Sequence, residues 1–190
     1  MTITARSSLS SVAVQVGDAL RRHGIRAVLT GGACASLHSG GAYYSVDMDF
    51  ILLGHVTQAA LDAAMGSVGF RRKGDRYLHS RARFYVEFPR GPLAIGGDYH
   101  VRPVEHRLRR ARVLVLSPTD SCRDRLAAFY HWNDRQSLTV AVSIALRSRL
   151  NLAAVRRWSI AEGMEHRFDE FLVELKTERG RRSRRIQAGP

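Results

Sequence analysis

Ala27-Val28-Leu29-Thr30-Gly31-Gly32-Ala33 and, a little further on, Ser45-Val46-Asp47-Met48-Asp49-Phe50-Ile51-Leu52-Leu53 are the stretches on which the fold of this chain turns. The first is a β-rich apolar run that breaks at two glycines and continues as a short helix, Ala33 to His38. The second reads as a strand. Side chains alternate faces along a strand, so Asp47 and Asp49 point the same way, about 6–7 Å apart at their α-carbons, while Val46, Met48 and Phe50 face the other side. Two carboxylates on one face repel each other, and one of them tends to keep its proton. A hard divalent cation relieves that repulsion: Mg²⁺ takes oxygen ligands, commonly one or two carboxylates together with substrate phosphates. Gly31 and Gly32 supply the complementary half, because backbone without a β-carbon turns sharply and amides that open a helix can face a phosphate.

Phe84-Tyr85-Val86-Glu87-Phe88 reads as a further strand, ending at Pro89, with Glu87 in an apolar-acid-apolar pattern. A glycine pair, an Asp-x-Asp strand and a later acid, in this order, resemble the nucleotidyltransferase superfamily related to DNA polymerase β. The resemblance implies a third acid on a later strand, and acids that hold two Mg²⁺ ions around a nucleoside triphosphate while an acceptor attacks the α-phosphate and pyrophosphate leaves. On this reading Asp47, Asp49 and Glu87 are the catalytic metal ligands. Asp98, in Gly96-Gly97-Asp98-Tyr99, is the competitor for the third place, although its glycine neighbours suggest a turn. Gly31 and Gly32 bind the nucleotide, and Ser45 stands where many members carry Ser or Thr. Residues 33–46 form a spacer long for the family, which the Gly40-Gly41 loop and its Tyr43-Tyr44 pair account for.

A second stretch narrows the resemblance. Ser117-Pro118-Thr119-Asp120 is a helix start, with Ser117 as N-cap, Pro118 at the first helical position and Asp120 placing negative charge near the helix N-terminus. The helix that follows, Ser121 to Trp132 and on to Arg135, is similar to the one after the core sheet in abortive-infection-type nucleotidyltransferase toxins and their bacterial relatives. Those chains run Pro-x-Asp, Lys-x-x-Ala and Arg-Asp. The lysine there contacts nucleotide phosphates and the later aspartate helps organise the site. Arg125 stands at the lysine position and Asp134 near the aspartate position. A guanidinium grips phosphate bidentately where an ammonium acts as a point charge, so the exchange is not neutral. Arg123, Asp124 and Arg125 also read as a solvated helix face, and Trp132 as a side chain packed on the core. The same resemblance implies a toxin–antitoxin setting with an antitoxin partner.

Composition agrees with a folded protein that has a polyanionic partner. The chain of 190 residues is 45% hydrophobic, enough for a good core in one domain with a helical appendage. Cys34 and Cys122 are isolated, which indicates neither a disulfide framework nor a zinc site. No apolar stretch is long enough to span a bilayer, so no membrane is implied and the cytoplasm is the expected location. The net charge of +13 fits a nucleic-acid ligand, with RNA drawn in by a salt-dependent field. Arginine clusters at 71–72 beside Lys73, at 107–112 and at 179–185 carry it. Arginine excess also arises without any ligand, and no aromatic RNA-recognition signature accompanies it.

The whole reads as α+β: a nucleotidyltransferase-like mixed sheet flanked by helices, with a C-terminal helical bundle. The core spans 1–116, the helical region 117–178, and 179–190 is a basic, disordered tail. An amphipathic helix over Ser8 to Arg22 stops at Gly24, and a second helix opens at Thr57. Strands follow near 70–72, 76–79 and 83–88, mostly antiparallel, then near Leu93 to Ile95 and Val113 to Leu116. Helices close the chain at 118–132, 135–148, 152–162 and 165–178. Eight scattered histidines argue against a metal cluster. The absence of a nucleophile elbow and of a third glycine at dinucleotide spacing argues against a serine or cysteine hydrolase and a Rossmann cofactor site. The expected activity is Mg²⁺-dependent transfer of a nucleoside monophosphate from an NTP to RNA, protein or a small molecule. The alternative is an inactive nucleotide- or RNA-binding module of the same fold.

Overall fold

The computed structural model describes residues 2–41 and 45–187, with side chains as far as residue 184. The Tyr43-Tyr44 pair lies outside the described residues. Helix α1 (Leu9–Arg22) starts at Ser8, whose hydroxyl accepts the Ser11 amide, and stops at Gly24 in the left-handed region. Strand β1 (Ala27–Thr30) is buried throughout and runs directly into α2 (Gly31–His38). Strand β2 (Asp47–Leu52) and helix α3 (Gln58–Gly66, capped by Thr57) follow. Then come β3 (Phe70–Lys73), β4 (Arg76–His79), β5 (Tyr85–Glu87), β6 (Val104–Leu108) and β7 (Ala111–Val115). Four helices end the chain: α4 (Pro118–Trp132), α5 (Arg135–Arg147), α6 (Leu152–Ala161) and α7 (Glu165–Gln187).

The strands form one sheet in the order β3-β4-β5-β2-β1-β7-β6. Strand β2 lies in the middle, antiparallel to β1 and parallel to β5, and β1 is parallel to β7, so the sheet is mixed. Alternation sets what each face carries. Across the central strands one rung reads Met48, Val86, Tyr77, and Phe50 pairs with Leu29; all five are almost wholly buried. Each such apolar side chain contributes about 1.5–3 kcal/mol by leaving water. The neighbouring rung, with side chains on the opposite face, reads Thr30, Asp49, Glu87, Arg76. Helix α1 lies on β7 so closely that a β-carbon on Gly17 would come within 2.3 Å of Val113. Tyr77, capping the apolar rung, donates its hydroxyl to Asp62 of α3 and accepts from Gln58, which fastens that helix to the sheet.

Several expectations are corrected here. The stretch around Leu93 to Ile95 is not a strand: Ile95 and Asp98 bond each other's backbones across a tight turn with Gly96 left-handed, and the Ile95 carbonyl also takes the Trp158 indole N–H. Instead β6 pairs with β7 as a hairpin whose loop is only Arg109-Arg110. Trp132 does not pack on the core but is 77% exposed, because the helix ends beside it at left-handed Asn133; Trp158 is the core tryptophan. The basic run after residue 178 is helical as far as Gln187 rather than disordered. It extends a helix already nucleated and packed through Phe168, Phe171 and Leu175, so each further arginine, a good helix former, adds at little cost.

Candidate functional site

Strand β1 delivers the chain to Gly31, whose φ of +63° is a conformation that other residues resist. A β-carbon on Gly31 would stand 2.5 Å from Asp49 Oδ2, so the turn and the carboxylate are fitted to each other. Thr30 occupies the N-cap of α2 without making a side-chain cap bond; its hydroxyl donates to the Asp49 carbonyl instead, at 3.4 Å. Helix α2 therefore starts with amides that no side chain caps, facing the strand that carries the acids.

Asp47 and Asp49 are both half-buried on one face of β2, and Glu87 stands opposite Asp49 on β5. Their mutual repulsion is visible in Asp49. Burial first, then the charges of Asp47 and Glu87, push its carboxyl up to about 6, with Arg125 opposing and Asp124 adding to the rise. Ser45 donates its hydroxyl to Asp47 Oδ1 and to the Asp47 carbonyl, so it orients the acid rather than standing open to a phosphate. Glu87 pairs through Oε1 with Arg76 Nε at 2.7 Å, and Arg76 also lies over the Tyr85 ring. Among the described residues no three His, Cys, Asp or Glu side chains are disposed to enclose an ion.

Helix α4 brings Arg125 within electrostatic reach of Asp49, with Nε and Nη2 bonded to Asp124 at 3.0 and 2.7 Å. Asp134 is the N-cap of α5, accepting the Gln136 and Ser137 amides and the Ser137 hydroxyl. These bonds hold its carboxyl below the usual range, and Arg125 contributes to that lowering. Asp98 is engaged elsewhere: it pairs with Arg123, which is itself buried, bonded to Asp120 and laid over Trp158. Of the expected residues, Asp47, Asp49, Glu87, Gly31 and Arg125 thus converge, Gly32 is buried in the first turn of α2, Ser45 supports Asp47, and Asp134 stands behind Arg125 as a cap. Sequence reasoning missed Arg76 and Asp124. Arg76 is identifiable only once β4 is registered on β5, and Asp124 only once α4 is docked. Cys34 and Cys122 are buried, and burial pushes the Cys34 thiol up to about 12, which leaves it unreactive.

Among solved structures, the fold is similar to that of an antigenic nucleotidyltransferase-like protein from Paracoccidioides brasiliensis, with a TM-score of 0.54 and 16% identity over 74% of this chain and 77% of that one. At that identity the likeness establishes the nucleotidyltransferase-like α+β fold. No family model and no curated protein matches the sequence. Among the described residues no helix is long and apolar enough to cross a membrane.

Proposed function

We propose that this chain is a Mg²⁺-dependent nucleotidyltransferase that moves a nucleoside monophosphate from an NTP to a hydroxyl of RNA. The observation that carries it is the acid rung: Asp49 beside Glu87, Asp47 two residues along the same face, and Gly31 bare against the Asp49 carboxylate. The chemistry of the donor set suits a hard cation, since it offers only carboxylate oxygens, gathers acids whose charges add to burial in raising the Asp49 carboxyl, and keeps clear the space that a Gly31 side chain would fill; closing these groups around an ion requires their side chains to shift from the arrangement described above. Asp47 and Asp49 would hold the ion and Glu87 would complete the set. When bound, Mg²⁺ would neutralise the phosphates and polarise the reacting one.

The remaining work falls to the chain. Amides at the start of α2, with Gly31 and Gly32, receive the triphosphate, and Arg125 exchanges Asp124 for a phosphate oxygen. In the transfer the acceptor oxygen bonds to the α-phosphorus, the bond from that phosphorus to the β-phosphate bridge breaks, and pyrophosphate leaves. Glu87, one oxygen held by Arg76, takes the acceptor's proton on the other. Such transfer needs mainly positioning and charge neutralisation, which this compact set supplies. The net charge of +13 supports RNA as the acceptor. An antitoxin partner would follow from a toxic activity of this kind.

The test is incubation with each radiolabelled NTP, Mg²⁺ and total RNA. Labelled RNA from the wild type and none from Asp49→Asn is expected, and labelling unaffected by that substitution would rule the mechanism out. Growth arrest on expression of the wild type but not of Asp49→Asn would support the toxin role. One observation favours a second reading, a nucleotide-binding module without catalysis: Arg76 already neutralises Glu87. Removing Arg76 separates the two, since Arg76→Ala should disturb transfer in an enzyme and leave nucleotide affinity alone in a module.

A further inference from the structure

A cavity of about 790 Å³ opens where the C-terminal end of α1, the turn after α3, the end of β4 and the β6–β7 hairpin meet. None of Asp47, Asp49, Glu87 or Arg125 lines it. Its charged lining is four arginines, Arg22, Arg81, Arg109 and Arg110, against one acid, Asp18. That acid is already engaged by Arg21, Arg22 and the Arg112 amide, and these bonds hold its carboxyl below the usual range. The guanidiniums of Arg81, Arg109 and Arg110 form no ion pair among the described residues.

Two further features aim donors into the same space. His79 accepts the Arg81 and Ala82 amides on Nδ1, at 3.0 and 3.1 Å, so its neutral ring carries the proton on Nε2. That nitrogen lies against Gly69, where a β-carbon would come within 2.8 Å of it, and has no acceptor among the described residues. Arg109 is the second feature. It holds a φ of 57° in a two-residue hairpin loop, where glycine or asparagine is the unstrained choice. A non-glycine residue kept in that conformation costs of order 1 kcal/mol, and such strain clusters where a side chain is needed.

We propose that this cavity binds a chain of phosphates, the backbone of a single-stranded RNA or a free oligophosphate, with Arg81, Arg109, Arg110 and the His79 Nε2–H as its donors. Arginine forks suit phosphate oxygens, and three of them along one cleft match successive phosphates rather than one. The proposal is independent of the acid rung and of any transfer activity.

Fluorescence anisotropy with a 5′-labelled single-stranded RNA, and competition by inorganic tripolyphosphate, test it. The double variant Arg81→Gln/Arg109→Gly should bind at least about tenfold more weakly, and its log-affinity against log-salt slope should be shallower by about 1.4, the effect of two lost phosphate contacts on a single strand. Arg109→Gly alone should weaken binding while raising the melting temperature, because it relieves the strained turn. Arg149→Gln/Arg156→Gln removes equal charge elsewhere and should bind nearly as the wild type does. Displacement by tripolyphosphate at similar concentration assigns the site to free oligophosphate, and displacement only by RNA assigns it to a strand. Equal losses in both double variants, or unchanged binding in Arg81→Gln/Arg109→Gly, would overturn the proposal.

Discussion

Asp49 is the residue on which charge and structure conflict most openly. Its carboxyl is held near 6 against an ordinary 3.8, so the folded chain binds that proton more tightly than the unfolded chain does. Stability from this group is therefore complete below the ordinary carboxylate range and is lost as pH rises through about 6. Asp49→Asn should melt higher than the wild type at pH 8 and no higher at pH 4. Mg²⁺ should raise the wild-type melting temperature at pH 8 and do little for the variant, a readout that needs no catalysis. Gly31→Ala meets two penalties, a φ of +63° and a contact of 2.5 Å with Asp49 Oδ2, and should destabilise by about 1–3 kcal/mol in denaturant titration. The same substitution should abolish the Mg²⁺-dependent rise.

At the scale of elements, legibility followed local signals. Strand β2 is readable because Met48 and Phe50 alternate with Asp47 and Asp49, and α4 because Ser117 and Pro118 announce its start. Strand β6, Val104-Glu105-His106-Arg107-Leu108, is an exposed sheet edge with polar residues on both faces, and Arg109-Arg110 offers none of the usual hairpin residues, so neither strand nor turn declared itself. The place of Glu87 on β5 is readable from its strand pattern, whereas its neighbour Arg76 depends on a pairing that no local pattern encodes. Asp134 shows how one residue admits two readings: it caps α5 and also faces Arg125 electrostatically. Asp134→Ala should cost about 1 kcal/mol, while Asp134→Asn keeps the cap and should be nearly neutral in stability. A loss of transfer activity in Asp134→Asn with unchanged melting would assign the residue a role at the site beyond capping.

For the whole molecule, the surplus of arginine outweighs the surface ion pairs. Thirty Lys and Arg against seventeen Asp and Glu leave a net repulsion that the compact state must bear. Salt screens such repulsion, so raising NaCl from about 20 to 300 mM should increase the melting temperature even as it weakens RNA binding. The sequence division at residue 116 does not mark a gap in packing. Arg123 of α4 grips Asp98, Glu162 at the end of α6 accepts the Gly97 amide at 2.7 Å, and Trp158 of α6 holds the Ile95 carbonyl. A segment belonging to the first part of the chain is thus gripped by the last part. Warmed in a calorimeter, sheet and helices should let go together, giving a single heat-absorption peak whose van't Hoff and calorimetric enthalpies agree. Asp98→Ala should split or broaden that peak, because what it cuts is the rivet between two halves that otherwise melt as one.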